Sequence, residues 1–374
     1  MNEKKKAIFL THPQALKSEV TGGVQLCSQE FMHVLESMND LELSTYFVPY
    51  TRRIWQRLLI RLRMDNYDFF NVSKESPALI NDIRHRKIDI VFMNMSTLIR
   101  FAKPLKEDLG SGVKIILLSH GNDSCDFLHL ISKPIRKKFF VRRWMDKIRL
   151  GRLVATESAY RVKWLDAVVS ISETEKQMDN WMGARKTSFL PRRLYQDFLP
   201  FSAIPGRVGF VGRLDHPPNF QGVSMLLDEM SRQSNGLNFR LVGAPEKYGK
   251  MIQEKFPFVQ YLGELSDHKL EEELSSWSFF TNPVWWYSTG SSTKLARAIS
   301  WGIPIITSHA GMRGYEWKEG KLLIADSPEE MASQLIRMAM STESINYWKD
   351  QTRLVAVNGL NENQLADRIR SSYQ

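Results

Sequence analysis

Thr281–Glu316 reads TNPVWWYSTGSSTKLARAISWGIPIITSHAGMRGYE. The apolar run from Trp277 to Phe280 leads into it as a strand, and a polar turn follows at Ser288, Thr289, Gly290, Ser291 and Ser292. Leu295, Ala298 and Ile299 are then spaced for one buried face of a helix, which Gly302 stops before the apolar run Ile303–Thr307. A helix that starts at the carboxyl end of a strand offers unpaired N–H groups and a positive dipole end, which suits an anion such as a diphosphate. Alone, this is a strand–turn–helix of the kind any α/β protein contains.

Working outward, the same grammar recurs. Val208–Val211 predicts a strand with Gly212 and Arg213 at its carboxyl end, and a helix begins near Asn219 after Pro217 and Pro218. Strands follow at Phe239–Val242, before Gly243, and at Val259–Leu262, before Gly263; a helix occupies 267–277. Towards the N-terminus, Ala7–Leu10, Ile88–Met93, Val113–Leu118 and Val168–Ser172 are continuous apolar or near-apolar runs, as strands buried on both faces require. Residues 191–206 hold three prolines and no clean periodicity, which predicts a linker. The expected architecture is α/β, with two doubly wound Rossmann-like domains facing each other across a cleft: 1–190, then 207–355. Residues 356–374 are expected to form a C-terminal helix returning to the first domain.

Composition narrows the class. The 374 residues suit two domains, and 43% hydrophobic with 25% charged residues is a globular balance that excludes disorder. No apolar run reaches the length of a membrane span, and the one in MNEKKKAIFLTH is too short for a signal peptide. Cys27 and Cys125 form no disulfide framework or metal-ligand cluster, which fits a reducing cytoplasm.

Five stations in order carry a resemblance: FVGRLDHPPN (Phe210–Asn219), LVGAPE (Leu241–Glu246), the Val259–Leu265 run, Pro283 with Gly290 and Lys294, and Ala298 with Gly302 and Pro304. With Gly22-Gly23, Ser119-His120-Gly121 and VSISETE (Val169–Glu175) in the first half, the chain resembles retaining GT-B glycosyltransferases, most like glycosyltransferase family 4. The resemblance implies a nucleoside-diphosphate sugar as donor and no obligatory metal. It places Arg213 on the diphosphate, where a guanidinium fork matches phosphate geometry. It assigns donor contacts to Gly22, Gly23, Gly243, Ser288, Thr289, Gly290, Ser291, Ser292, Lys294 and Arg297, and catalysis to His120, Arg213 and Lys294. Asp123 and Asp126 are expected on the acceptor side, and no paired-carboxylate spacing marks a double displacement. Retention would then follow from front-face attack, with the leaving phosphate taking the acceptor's proton.

One departure stands out. The family usually carries two glutamates eight positions apart, and their places here hold Thr289 and Arg297. Arginine cannot accept hydrogen bonds from ribose hydroxyls. The donor is then held differently, or is chemically unusual, or the site is silent. Asn219 lies near the place of the family's second basic residue, and Lys294 is the nearest cation.

The net charge of +10 concentrates in two stretches. Residues 51–64 (TRRIWQRLLIRLRM) and 133–152 (KPIRKKFFVRRWMDKIRLGR) interleave arginine and lysine with aromatic and aliphatic residues at helical spacing. That pattern predicts amphipathic helices on an anionic membrane surface, here the inner face of a membrane. The bland alternative is a buried helix face with a solvated basic back. No helix-turn-helix, zinc-finger or RNP-type motif supports nucleic acid. The expectation is therefore a glycosyltransferase adding sugar to a glycan or lipid-linked acceptor in surface polysaccharide or glycoconjugate synthesis. A catalytically silent GT-B binding subunit and a nucleotide-sugar epimerase are the alternatives.

Overall fold

The structure, a computed structural model, describes residues 4–17, 22–61, 67, 69–132, 140–233, 236–286 and 290–374, with backbone only at 60–61 and 140–142. It divides into two compact units, Met1–Pro191 with Ser288–Gly290 and Asn361–Gln374, and Arg192–Tyr287 with Ser291–Leu360.

The first unit alternates strands and helices: β1 (Lys5–Thr11), α1 (Gly23–Glu36), β2 (Leu41–Phe47), α2 (Ile54–Arg61), α3 (Val72–Arg86), β3 (Ile90–Asn94), α4 (Ala102–Leu109), β4 (Lys114–Ser119), α5 (Asp123–Ser132), α6 (Phe140–Lys163), β5 (Ala167–Ser170), α7 (Glu173–Trp181) and β6 (Thr187–Phe189). All pairings are parallel, in the order β2-β1-β3-β4-β5-β6. The order reverses between β1 and β3, and α/β sheets take ligands at the carboxyl ends beside such a point. The centre of the sheet reads as sequence predicts, since Ile90–Asn94 and Ile115–Ser119 are buried throughout.

The second unit contains β7 (Ile204–Val211), α8 (Pro217–Arg232), β8 (Asn238–Val242), α9 (Glu246–Lys255), β9 (Val259–Gly263), α10 (Asp267–Leu274), β10 (Trp277–Asn282), α11 (Thr293–Trp301), β11 (Ile305–Thr307), β12 (Leu323–Ile324), α12 (Pro328–Met338) and α13 (Thr342–Val357). Its sheet is also parallel, in the order β12-β11-β10-β7-β8-β9, which is the 3-2-1-4-5-6 order of a dinucleotide-binding fold read from the other edge. The reversal lies between β7 and β10. Pro217 opens α8 at a position where its missing N–H costs nothing, and Gly302 ends α11 with φ 66°, a left-handed cap. β7 begins at Ile204, inside the segment expected to link the domains, because its N–H donates to Ser276 O at 2.8 Å and extends the ladder.

After α13 the chain rejoins the first unit as α14 (Glu362–Arg370), opened by a capping box between Asn361 and Gln364. Arg370 grips Asp40 through Nε at 3.0 Å and Nη2 at 2.9 Å, and the Tyr373 hydroxyl donates to the same carboxylate.

Candidate active site

In the second unit the loops after β7 and β8, beside the switch point, make a close backbone approach. Gly243 has φ 143°, and a Cβ there would lie 2.0 Å from Gly212 O, so only glycine lets the loops after β7 and β8 touch. The next residue after Gly212 is Arg213, whose side chain is 76% exposed and held by Asp215 through two bonds of 3.0 and 2.6 Å.

Asn219, in the first turn of α8, joins two predicted residues. Its Nδ2 donates to Arg213 O at 2.8 Å, and its Oδ1 accepts from Lys294 Nζ at 2.6 Å. Lys294 lies in the first turn of α11 with Nζ 5.0 Å from the Phe210 ring centroid. The residue keeps partial exposure, but its ammonium end is enclosed, and desolvation followed by the like charge of Arg313 pulls its pKa down to about 7. Like charges near an enclosed helix N-terminus are an arrangement that an anion would stabilise. Sequence reasoning missed Arg313, although it stands three residues before the end of the stretch quoted first. Its only signal is its place in the loop after β11.

The rest of that stretch divides. The Ser291 hydroxyl is buried and makes no hydrogen bond among the described residues. Ser292 occupies the N-cap of α11 without capping it; its hydroxyl donates to Asn282 Oδ1 at 3.3 Å, leaving the first turn's N–H groups uncapped by side chains. Ser288 and Thr289 lie outside the described residues. Gly290 is grouped with the first unit, and its N–H, expected on the diphosphate, donates to Glu175 Oε1 at 2.9 Å. Arg297 is half-exposed, pairs with Asp267 at 3.2 Å and lies over the Trp301 ring at 4.9 Å.

In the first unit Gly22 caps α1 and Gly23 begins it. His120 follows β4 and its Nε2 meets Asn94 Oδ1 at 2.7 Å, while Asn94 Nδ2 donates to Thr11 and Ser28. Asp126 is exposed, whereas the Asp123 carboxyl is largely enclosed. Burial, then the charges of Glu157 and Asp126, raises Asp123 to about 7. Behind it lies a buried ionic network that sequence reading missed. Glu157 accepts from the Tyr67 hydroxyl and from Ser124 N at 3.0 Å. Arg161, fully buried, binds Asp179 Oδ1 at 2.7 Å and donates to Asn122 Oδ1 and Glu157 O. Among the described residues no cluster of His, Cys, Asp and Glu is placed to hold a metal.

Residues 205–341 match the family model described as Glycosyl transferases group 1. The second unit is a group 1 glycosyltransferase domain. The whole chain is similar in fold to solved glycosyltransferase structures. Sucrose-phosphate synthase of Thermosynechococcus elongatus aligns at TM-score 0.70 and 13% identity over 99% of this chain and 98% of that one. The lipopolysaccharide outer core galactosyltransferase WaaB aligns at 0.65 and 15% over 98% of both chains. Anabaena Alr3699/HepE, solved with UDP and glucose, aligns at 0.61 and 12% over 98% and 99%. No curated protein matches the sequence. The fold is GT-B, two α/β units each built on a six-stranded parallel sheet, and the part that matches the glycosyltransferase family model lies, apart from 288–290, within the second unit.

Proposed function

We propose that this glycosyltransferase takes its sugar from a nucleoside-diphosphate donor and passes it, with retention, to a glycan or lipid-linked acceptor at an anionic membrane surface. The observation that carries the donor half is the facing pair Lys294 and Arg313 at the start of α11, with Asn219 holding the lysine. A diphosphate there would restore the lysine's charge, and that interaction strengthens as the leaving group gains charge in the transition state. Arg213 and the uncapped N–H groups of α11 would support the same group. His120 would meet the donor sugar and Asp123 the acceptor. With Lys294, Arg313 and Arg213 on the leaving diphosphate, the proposed chemistry would need no obligatory metal. The Anabaena relative of the same fold was solved with UDP-glucose, which suits this donor class.

The acceptor half rests on α2 and the start of α6. Ile54 is 80% exposed and Trp55 77%, beside exposed Arg52, Arg53 and Arg57. On α6, Trp144, Met145 and Ile148 are exposed beside Arg143 and Lys147. Residues 62–64 and 133–139 of the two basic stretches lie outside the described residues. Among the described residues no helix is long and apolar enough to cross a membrane. Exposed tryptophan among arginines favours a peripheral helix lying at the headgroups of the inner leaflet. Surface polysaccharide or glycoconjugate assembly would bring a cytoplasmic donor and such an acceptor together.

The test has two arms. A panel of nucleotide sugars is screened for thermal stabilisation and hydrolysis. Sedimentation with vesicles containing anionic lipid is compared with neutral ones, in wild type and in a Trp55→Ser/Arg57→Gln/Trp144→Ser/Arg143→Gln variant. Binding of no nucleotide sugar overturns the donor half, and vesicle binding that survives the four replacements overturns the membrane half. The silent-subunit alternative is favoured by Arg297 being engaged with Asp267 and Trp301, and donor binding without turnover would select it.

A further inference from the structure

The first unit has its own switch point, between β1 and β3, where the strand order reverses. His12 follows β1 directly, and Asn94 ends β3. Met95, next in the chain, holds φ 88°, a conformation costly for a side chain with a Cβ. The loop after β2 is tied to this edge, since Val48 N donates to Thr11 O at 2.9 Å and Thr51 N to Phe69 O at 2.8 Å.

Between those two anchors sits Tyr50. Its ring lies 3.6 Å from the His12 ring at 26°, a face-to-face stack. Phe70 is 5.3 Å from Tyr50 and 6.3 Å from His12. Those three distances make nearly a right angle at Tyr50, so Phe70 lies off the axis of the His12 stack, and Phe69 borders the tyrosine at 6.2 Å, tilted by 53°. Tyr50 is 43% exposed while His12 is buried. His12 Nδ1 accepts from Gln14 N at 3.1 Å, which leaves the ring proton to Nε2, and burial lowers the pKa of the ring.

We propose that the exposed side of Tyr50, backed by His12, is a stacking platform for a pyranose ring of the acceptor. A pyranose presents a face of C–H groups that packs on a rigid aromatic surface while its hydroxyls stay in water, and the tyrosine hydroxyl and loop polar groups orient it. The inference rests on the reading of a glycan acceptor. A competing role exists, because α2 with Trp55 begins four residues on, and tyrosines also sit at membrane interfaces. The fixed stack favours the sugar: an exposed ring held rigid by its neighbours suits the C–H face of one pyranose better than a headgroup layer.

The test is saturation-transfer NMR on the full chain with methyl α- and β-glucopyranosides and galactopyranosides at tens of millimolar. Wild type and Tyr50→Phe transfer saturation to the C–H protons of one pyranose face, and Tyr50→Leu loses it. Nucleoside-diphosphate binding and vesicle sedimentation stay unchanged in all three, which separates failure of the platform from failure of the donor or membrane reading. If Tyr50→Leu misfolds by thermal denaturation, Tyr50→Trp, with its larger face, increases the transfer. The proposal is overturned by equal transfer in wild type and Tyr50→Leu, by no transfer to wild type, or by no increase in Tyr50→Trp. It is equally overturned if Tyr50→Leu releases the protein from vesicles with the sugar signal intact.

Discussion

Both units bury charge near the carboxyl ends of a parallel sheet, but they do so with opposite arithmetic. In the first, fully buried Arg161 is matched by Asp179, and Glu157 is filled by Tyr67 and Ser124. In the second, enclosed Lys294 is faced by another cation, Arg313, and its hydrogen-bond partner is a neutral amide. The first arrangement is complete within the protein and serves the fold. The second lowers the lysine's own charge, and that deficit is what an arriving anion would remove. Buried charge thus differs between the units by the sign of its neighbours, and the proposed donor site rests on that difference.

The largest effect that could break this contrast belongs to the first unit. Arg161→Met leaves Asp179 buried without its cation, and loss of one partner of such a pair costs about 3–5 kcal/mol. The expected result is a large fall in the urea midpoint, with nucleotide affinity unchanged in whatever protein remains folded. A variant as stable as wild type would mean that the network is not what holds α6 and α7 on the sheet.

Lys294→Met should do the reverse. The fold keeps or gains stability, while nucleoside-diphosphate affinity falls by roughly 1.5–3 kcal/mol, the worth of a hydrogen bond to a charged group. The sign of the pH dependence follows from the lowered pKa. In the empty protein Lys294 gives up its proton near pH 7, and a bound diphosphate raises that pKa, so binding takes up a proton and weakens as pH rises above about 7. Calorimetry in buffers of different ionisation heat at pH 8 reads the uptake directly. Uptake that persists in the methionine variant would move the site away from α11.

The fold was legible because parallel strands buried on both faces write themselves as unbroken apolar runs, as Lys114–Ser119 shows after its first residue. Gly243 and Gly302 were legible because backbone approach and left-handed caps leave no other choice. The ionic network was not. Arg161 sits in a lysine- and arginine-rich helix that reads as solvated, and its partners Asn122 and Asp179 are brought to it only by the crossing of α6 with its neighbours. Arg313 was hidden likewise, since nothing local distinguishes it from a loop charge. Gly290 shows the limit of motif reading: the turn was recognised, but its N–H goes to Glu175, far away in sequence.

Asp123 sharpens the comparison from the first unit's side, because it is a carboxyl beside the network whose pKa is raised. Its folded value of about 7 lies above the unfolded one, so its contribution to stability is full below about pH 4 and is lost as pH rises through 7. Asp123→Asn should therefore match wild type near pH 4 and exceed it at pH 8. The nominal gain is discounted for partial solvent access to roughly 1–2 kcal/mol at about 1.4 kcal/mol per unit. Denaturant midpoints across that range read the difference, and a gain that does not grow with pH would remove Glu157 and burial as its cause.

Arg213 should give the smallest effect, although by sequence it is the first residue one would assign to the diphosphate. Its guanidinium is largely exposed and both of its bonded nitrogens are spent on Asp215. A phosphate reaching it must share the fork or displace the carboxylate, so the contact replaces an interaction already present in water. Arg213→Ala is expected to weaken nucleoside-diphosphate binding about two- to fivefold, in the range of exposed ion pairs, and less than Lys294→Met does. Asp215→Asn should act in the other direction, freeing the fork and tightening binding, with both effects shrinking as salt rises. If Arg213→Ala instead costs as much as Lys294→Met, exposure is no guide to which cation holds the donor, and the distinction drawn here between enclosed and solvated charge fails for this site.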